Sequence, residues 1–278
     1  MLRKDYLYRI KSCLCHYFTA RHSRGGGIHS PYLFEWVRFV ARDTHRFYVW
    51  DEIEQLRNQL LHDSTEIVFT DLGVGKGRQT HRKISDIARS SLASPRYAQL
   101  LFRLTNWLTT KKHETANDAQ NSGLQIVELG TSLGITTSYL AACDSNNHVV
   151  TFDGCPSVVS KAKEIWSRLG LQNIESVVGD IDDTLFIYTP AREIDVAFID
   201  ANHTCEATYR YFHFLVEHMH VKGVIVVDDI HYSNEMQTAW KKICAHPRVT
   251  CTMDFYQMGL VFFDPHYLRA HYRLRLPI

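Results

Sequence analysis

The run Ile126-Val127-Glu128-Leu129-Gly130-Thr131-Ser132-Leu133-Gly134, followed by Val149-Val150-Thr151-Phe152-Asp153, constrains this chain more than any other feature. It reads as a buried strand, a glycine turn opening onto a helix, and a second strand that ends on a carboxylate. In such a unit the acid at the tip of the second strand is placed to take ribose hydroxyls. The glycine spacing narrows the ligand. A pyrophosphate needs G-x-G-x-x-G so that backbone can close on it, whereas Gly130 and Gly134 flank Thr-Ser-Leu. No pyrophosphate cradle is present.

Glu128 stands just before the turn, where an anionic ligand would be unwelcome. An acid there suits a cationic nucleoside without phosphates. S-adenosylmethionine, with its sulfonium and amino group, meets that description.

From residue 124 onward, strands are expected at 125–129, 148–152, 174–178, 194–199 and 222–228, with helices at 135–143, 157–169, 204–219 and 233–245. Residues 249–254 and 259–263 then form two strands too close for a crossover helix, so the sheet closes on an antiparallel hairpin. In an open α/β sheet, ligands gather at the carboxyl ends of the strands. The first strand offers Glu128, the backbone of Gly130, Thr131 and Ser132, and Thr136 in the first helical turn. The second offers Asp153, and the third Gly179-Asp180, where a carboxylate can accept from an adenine amino group. Asp200 ends the fourth strand and Asp228-Asp229 the fifth. One such acid is often only a helix N-cap or turn residue; five in register are hard to explain by capping.

Asp200, Asp228 and Asp229 would lie close together in the expected strand order. Three carboxylates with open positions suit Mg²⁺, which would lower the pKa of a substrate hydroxyl. The alternative leaves Asp228-Asp229 to order the following loop and Asp200 to hold the methionine amino group. His203 and His231 are candidate general bases, because a histidine near neutral pKa can accept a hydroxyl proton.

Residues 1–120 read as a largely helical cap, 121–265 as the cofactor-binding domain and 266–278 as a tail. Helices are expected over the first twenty residues, from Ser30-Pro31 through Val40, near 50–61, and from 84 to about 108; polar residues 111–122 read as a linker. Thr70-Asp71-Leu72-Gly73-Val74-Gly75-Lys76-Gly77-Arg78 imitates a cofactor loop but lacks Gly-Lys-Ser/Thr and any following acid-tipped strand. It is expected to be a mobile loop or lid.

The formal charge of +1 hides an asymmetry: residues 1–48 carry nine Lys/Arg against three Asp/Glu, and residues 121–230 six against fifteen. The basic segment is expected to be a solvated or docked face; contact with an anionic partner or a membrane surface is the alternative. The seven cysteines are odd in number, and Cys13-x-Cys15 lacks the second half of a zinc knuckle. They read as reduced thiols of a cytoplasmic protein. No apolar run reaches the length of a signal peptide or membrane span.

From about 124 to 263 the chain resembles the class I S-adenosylmethionine-dependent methyltransferases, nearest to small-molecule O-methyltransferases of the catechol and caffeoyl-CoA type. The family's acid-Leu-Gly-x-x-x-Gly motif matches Glu128 to Gly134, and its ribose acid matches Asp153. Its Asp-Ala-x-Lys segment matches Asp200-Ala201-Asn202-His203, with histidine in place of lysine. Its Asp-Asn metal pair matches Asp228-Asp229, with Asp in place of Asn. The resemblance implies a Rossmann-like α/β fold: a mostly parallel seven-stranded sheet with a C-terminal antiparallel hairpin, behind a helical N-terminal extension that selects the acceptor.

The expected activity is S-adenosylmethionine-dependent methylation of a small molecule on oxygen, with Mg²⁺ as a candidate cofactor. Metal-independent N- or C-methylation and a non-catalytic S-adenosylmethionine-binding module are the alternatives. A nicotinamide dehydrogenase is disfavoured by the missing fingerprint, and nucleic acid by the absence of a base-flipping loop and the near-zero charge. The acceptor and any oligomeric state are not specified.

Overall fold

The computed structural model describes residues 2–72, 77–115 and 123–277. In chain order the elements are α1 (Leu2–Thr19), α2 (Pro31–Trp36) running into a π-helical turn (Val37–Ala41), α3 (Tyr48–His62), β1 (Glu66–Asp71), β2 (Arg78–Lys83), α4 (Ile84–Ser91) and α5 (Pro95–Thr115). The regular alternation then follows: β3 (Gln125–Leu129), α6 (Ile135–Ala141), β4 (His148–Asp153), α7 (Pro156–Arg168), β5 (Ile174–Val178), the single turn α8 (Ile181–Thr184), β6 (Ile194–Ile199), α9 (Cys205–His218), β7 (Met219–Val227) and α10 (Asn234–Ala245). Three short strands close the chain, β8 (Cys251–Asp254), β9 (Gly259–Phe262) and β10 (Ala270–Arg273). The chain divides into two compact units, residues 45–192 and residues 1–44 with 193–278.

In the unit of residues 45–192, β3, β4 and β5 are parallel, with Val127 opposite Val150 and Val150 opposite Glu175. Every residue of β3 is buried, as expected of a strand covered on both faces. Helix α6 is buried all round as well, so other elements must enclose it. Helices α3, α4 and α5 supply Trp50, Ile53, Ile87 and Phe102, which join Leu133, Tyr139, Ala162 and Trp166 in one apolar cluster. Inside it the Tyr139 hydroxyl donates to Glu54 Oε1 at 2.8 Å, and Arg57 Nε donates to the same oxygen at 2.9 Å.

The hairpin β1–β2 adds two strands to the expected largely helical extension. Its antiparallel register runs from Glu66 opposite Lys83 to Asp71 opposite Arg78, and its residues are half-buried or exposed. The polar sequence Arg78-Gln79-Thr80-His81-Arg82-Lys83 hid it. The hairpin packs on the turn after β4: Thr70 N donates to Cys155 Sγ at 3.3 Å, and a Cβ on Gly154 would lie 2.6 Å from Leu72 Cδ1. The expected lid, Gly73 to Gly77, falls mostly on residues 73–76, outside the described residues. The expected linker is helical in α5 as far as Thr115; residues 116–122 are also outside the described residues.

In the other unit, β6 and β7 are parallel, β7 and β9 antiparallel, β9 and β8 antiparallel, and β8 and β10 parallel. The two units together hold eight strands of this mostly parallel type, one more than expected, because the supposed tail contributes β10. Trp36 is fully buried, its ring 6.1 Å from Phe255 and 5.9 Å from Phe262. Helix α1 is docked rather than free. Asp254 Oδ1 lies 3.1 Å from His16 Nε2, its Oδ2 lies 2.9 Å from His231 Nε2, and the Tyr256 hydroxyl donates to the Arg9 carbonyl at 3.0 Å. No described helix is long and apolar enough to cross a membrane, and all seven cysteines are free thiols.

Gly134 is the tightest point of the first turn. Its φ is +75°, and an added Cβ would lie 2.6 Å from Ala162 Cβ and 2.7 Å from Trp166 Nε1. Gly170 has a similar φ of +68° but faces open space. Gly170→Ala should cost about 1–2 kcal/mol from backbone strain alone. Gly134→Ala should cost that plus about 1–3 kcal/mol of overpacking, read as the difference in urea denaturation free energy; equal costs would contradict the packing described.

Candidate active site

The first turn and the ends of β4 and β5 meet through backbone groups. Gly130 and Ser132 have φ of +102° and +46°, and this winding turns successive amides inward. The amides of Gly130 and Thr131 donate to the Phe152 carbonyl at 2.9 and 3.2 Å. Ser132 N donates to Asp153 Oδ2 at 2.8 Å, and Cys155 N donates to Asp153 Oδ1 at 2.8 Å. Burial raises the Asp153 pKa, and these two amide bonds work against that rise. Gly179 N donates to the Asp153 carbonyl at 3.0 Å, which sets the end of β5 beside the end of β4. Thr131 and Thr151 share a hydroxyl contact of 2.6 Å, and Thr136 is buried in the first turn of α6. Of the residues read as cofactor-binding, Gly130, Thr131, Ser132, Asp153 and Gly179 are therefore tied together directly. Asp180 sits one residue beyond, where its carboxylate accepts from Asp182 N at 2.9 Å and caps α8.

Glu128 does not stand at the turn as an exposed anion. Its side chain is wholly buried, with Oε2 accepting from Thr137 at 2.5 Å and from Thr151 at 2.6 Å, while Oε1 has no hydrogen-bond partner. Burial pushes its pKa up to about 8 against the pull of the two threonines, and the charge of Asp153 adds to the rise. The group binds its proton more tightly folded than unfolded, so its contribution to stability is complete below about 4.5 and is lost as pH rises towards about 8. Glu128→Gln, which cannot ionise, should flatten the fall in thermal midpoint between pH 5 and pH 8; an unchanged slope would show that Glu128 is ionised throughout.

The second group of site residues lies in the unit of residues 1–44 and 193–278. Asp200 follows β6, and Asp228-Asp229 follows β7, whose register against β6 places Val227 opposite Ile199. Asp228 N donates to the Ile199 carbonyl at 2.9 Å. Asp228 is 4% exposed and its Oδ1 has no hydrogen-bond partner. Burial, with the charges of Asp200 and Asp229, raises its pKa well above the carboxylate range. Asp229 adopts φ +55°, the αL turn that ends the strand. His203 stands between two acids, Nε2 at 3.6 Å from Asp200 Oδ1 and Nδ1 at 3.9 Å from Asp229 Oδ2. Burial lowers its pKa, and Asp229 partly restores it.

The structure reassigns His231. Its Nε2 contacts Asp254 at 2.9 Å, its Nδ1 lies 3.4 Å from Ser12 Oγ, and its ring stacks on Tyr256 at 5.3 Å. With both nitrogens engaged, it clamps α1 to β8 and is not placed to act as a base. Burial opposes ionisation of Asp254, yet hydrogen bonds from His16 and His231 hold its carboxyl well below the usual range.

The sequence reading missed Arg9. Its guanidinium lies 3.7 Å above the Tyr232 ring and its Nε donates to the Tyr232 carbonyl at 3.1 Å; burial raises the Asp229 pKa, and the charges of His203 and Arg9 work against that rise. Only the excess of basic residues in the first helix signalled a cation for this acid cluster.

Among the described residues, no group of three or more His, Cys, Asp or Glu side chains is arranged to hold an ion. Asp200, Asp228 and Asp229 influence one another electrostatically without forming such a ligand set. A non-phosphorylated nucleoside fits better: the turn holds no pyrophosphate cradle, and Asp153 offers a carboxylate joined to the turn it would share with the ligand.

Residues 127–230 match the methyltransferase domain family model. Among solved structures, the chain is similar to an O-methyltransferase from Bacillus cereus in complex with SAH, at 17% identity and TM-score 0.54, covering 79% of this chain and 92% of that one. It is similar to a putative caffeoyl-CoA O-methyltransferase from Staphylococcus aureus, at 14% identity and TM-score 0.51, over 64% and 87% of the two chains. The O-methyltransferase TomG from Streptomyces achromogenes, in complex with SAM, gives 18% identity and TM-score 0.50 over 62% and 82%. At these identities the likeness is one of fold. No curated protein sequence matches the chain. Over residues 127–230 the chain is thus similar to the methyltransferase domain family, with the alternation of strands and helices and the glycine turn falling inside the match.

Proposed function

We propose that this protein methylates an oxygen of a small-molecule acceptor, with residues 1–120 capping the acceptor. The observation that carries the reading is the joining of Asp153 to the Ser132 amide at 2.8 Å, a carboxylate held beside a glycine turn that cannot cradle pyrophosphate. When bound, S-adenosylmethionine supplies a methyl group on a sulfonium, ready for in-line displacement. Gly130, Thr131, Ser132, Thr136, Asp153, Gly179 and Asp180 would hold it, with Asp153 taking the ribose hydroxyls. Asp200, read as a partner of the methionine amino group, is also the neighbour of His203.

The proton of the acceptor hydroxyl falls to His203. Burial keeps its imidazole neutral near pH 7, the form that accepts a proton. Once protonated, it has Asp200 and Asp229 within 4 Å on either side to stabilise the imidazolium. Likeness to O-methyltransferase structures supports oxygen as the atom methylated. A cytoplasmic location accords with the free thiols.

Hydroxyl compounds should be screened for SAH release, and variants compared on the acceptor found. His203→Ala should lower turnover about 10²–10⁴-fold with unchanged S-adenosylmethionine affinity. Because the His203 pKa is lowered, kcat/KM should rise with pH to a plateau through an apparent pKa below 6.5, a limb absent from the variant. Asp153→Ala should instead abolish measurable cofactor affinity. Full turnover in His203→Ala would remove it as the base, and retained affinity in Asp153→Ala would remove the ribose assignment.

A further inference from the structure

A cavity of about 560 Å³ is lined by α10, the edge strand β10 and its neighbour β8. Its floor is set by register. Thr252 pairs with His271 and Asp254 with Arg273, so these four side chains project from one face of the sheet. Strand β9 and then β8 separate β10 from β7, so the strand β10 runs about 14 Å from the one leading to Asp228, at roughly 4.8 Å per step.

The charges around this cavity do not balance. Lys241, Arg269 and Arg273 line it, together with the imidazoles of His22 and His271, against the single carboxylate of Asp254. That carboxylate is already taken by His16 and His231 at 3.1 and 2.9 Å. Arg269 Nη2 donates to the Cys244 and His246 carbonyls, each at 3.3 Å, and neutral acceptors leave its charge standing. Arg273 Nη1 donates to Thr19 Oγ1 at 2.9 Å, and its Nε lies 3.9 Å from Asp254. Lys241 is exposed, and no hydrogen bond or ion pair among the described residues engages its ammonium. His22 Nδ1 accepts from Arg273 N at 3.3 Å, which leaves its Nε2 as an N–H donor. Trp240 of α10 also lines it.

We propose that this cavity binds a small aromatic molecule bearing an anionic group, phosphate or carboxylate. The aromatic body rests against Trp240, and the anion takes Lys241 and the unneutralised charge of Arg269, beside the His271 imidazole. The cavity is also lined by His231, which follows the Asp228-Asp229 turn, but it takes none of the residues assigned to methyl transfer and does not depend on their assignment.

The test is titration of the full-length protein with phenyl phosphate and, separately, benzoate, followed by NMR of the histidine rings. Burial and the charge of Arg269 lower the His271 pKa in the free protein; a bound anion should raise it, with a saturable shift of its ring signals. Whichever probe binds more tightly identifies the anionic group. Phenol and inorganic phosphate should each bind about tenfold or more weakly than phenyl phosphate, since each carries half of the ligand. Lys241→Glu should weaken binding about tenfold or more without moving the thermal midpoint, because the side chain is exposed and unpartnered. No saturable shift at His271 with either probe, or equal affinity in Lys241→Glu and the parent, would overturn the proposal. S-adenosylmethionine takes no part in the measurement, so its outcome is independent of the methyltransferase reading.

Discussion

The first turn presents its backbone only because a helix can press against a residue without a side chain. Trp166 donates its indole N–H to the Gly134 carbonyl at 3.0 Å, and Ala162 lies where a Cβ on Gly134 would stand. That contact fixes α7 against the start of α6. Since α7 follows the Asp153 turn, it also fixes Asp153 relative to the turn amides. The Ser132–Asp153 bond, the contact between Gly179 and the Asp153 carbonyl, and the buried Glu128 pairing with Thr137 and Thr151 all depend on this geometry. A bulkier residue at 134 would loosen each of them at once.

The two groups of site residues are built by different means. Around Asp153, backbone amides and glycines do the shaping, and the ionisable groups are few. Around His203, burial and side-chain charges do it: Asp229 acts on the imidazole, Asp200 and Asp229 on Asp228, and His203 and Arg9 on Asp229. The first arrangement recognises a ligand by shape and hydrogen bonding, and the second is suited to holding and moving a proton. Asp228, buried with one oxygen unpartnered, marks the most costly position in the second group.

Strands covered on both faces were legible because burial leaves continuous apolar runs: 125–129 and 194–199 match Gln125–Leu129 and Ile194–Ile199 residue for residue. The acids at strand ends were legible because turn chemistry fixes them one residue past the apolar run. The hairpin β1–β2 was not, since its exposed strands carry no apolar alternation, and β10 was not, since Ala270-His271-Tyr272-Arg273 reads as tail. The roles of single residues were the least legible. His231 and His203 look alike in sequence, each following a strand-end aspartate; only the fold sends one to Asp254 and leaves the other between Asp200 and Asp229. Glu128 reads as a cofactor-facing acid because nothing local announces that Thr137 and Thr151 will enclose it. Arg9 required knowledge of where α1 docks.

The central claim is that the Gly130–Gly134 turn with Asp153 holds a cationic nucleoside and rejects a pyrophosphate. Calorimetric titration of the purified protein with S-adenosylmethionine, and in parallel with NAD⁺, tests it most directly. Saturable binding of S-adenosylmethionine and no heat of binding for NAD⁺ are expected. Binding of NAD⁺ alone, or of neither, would contradict it.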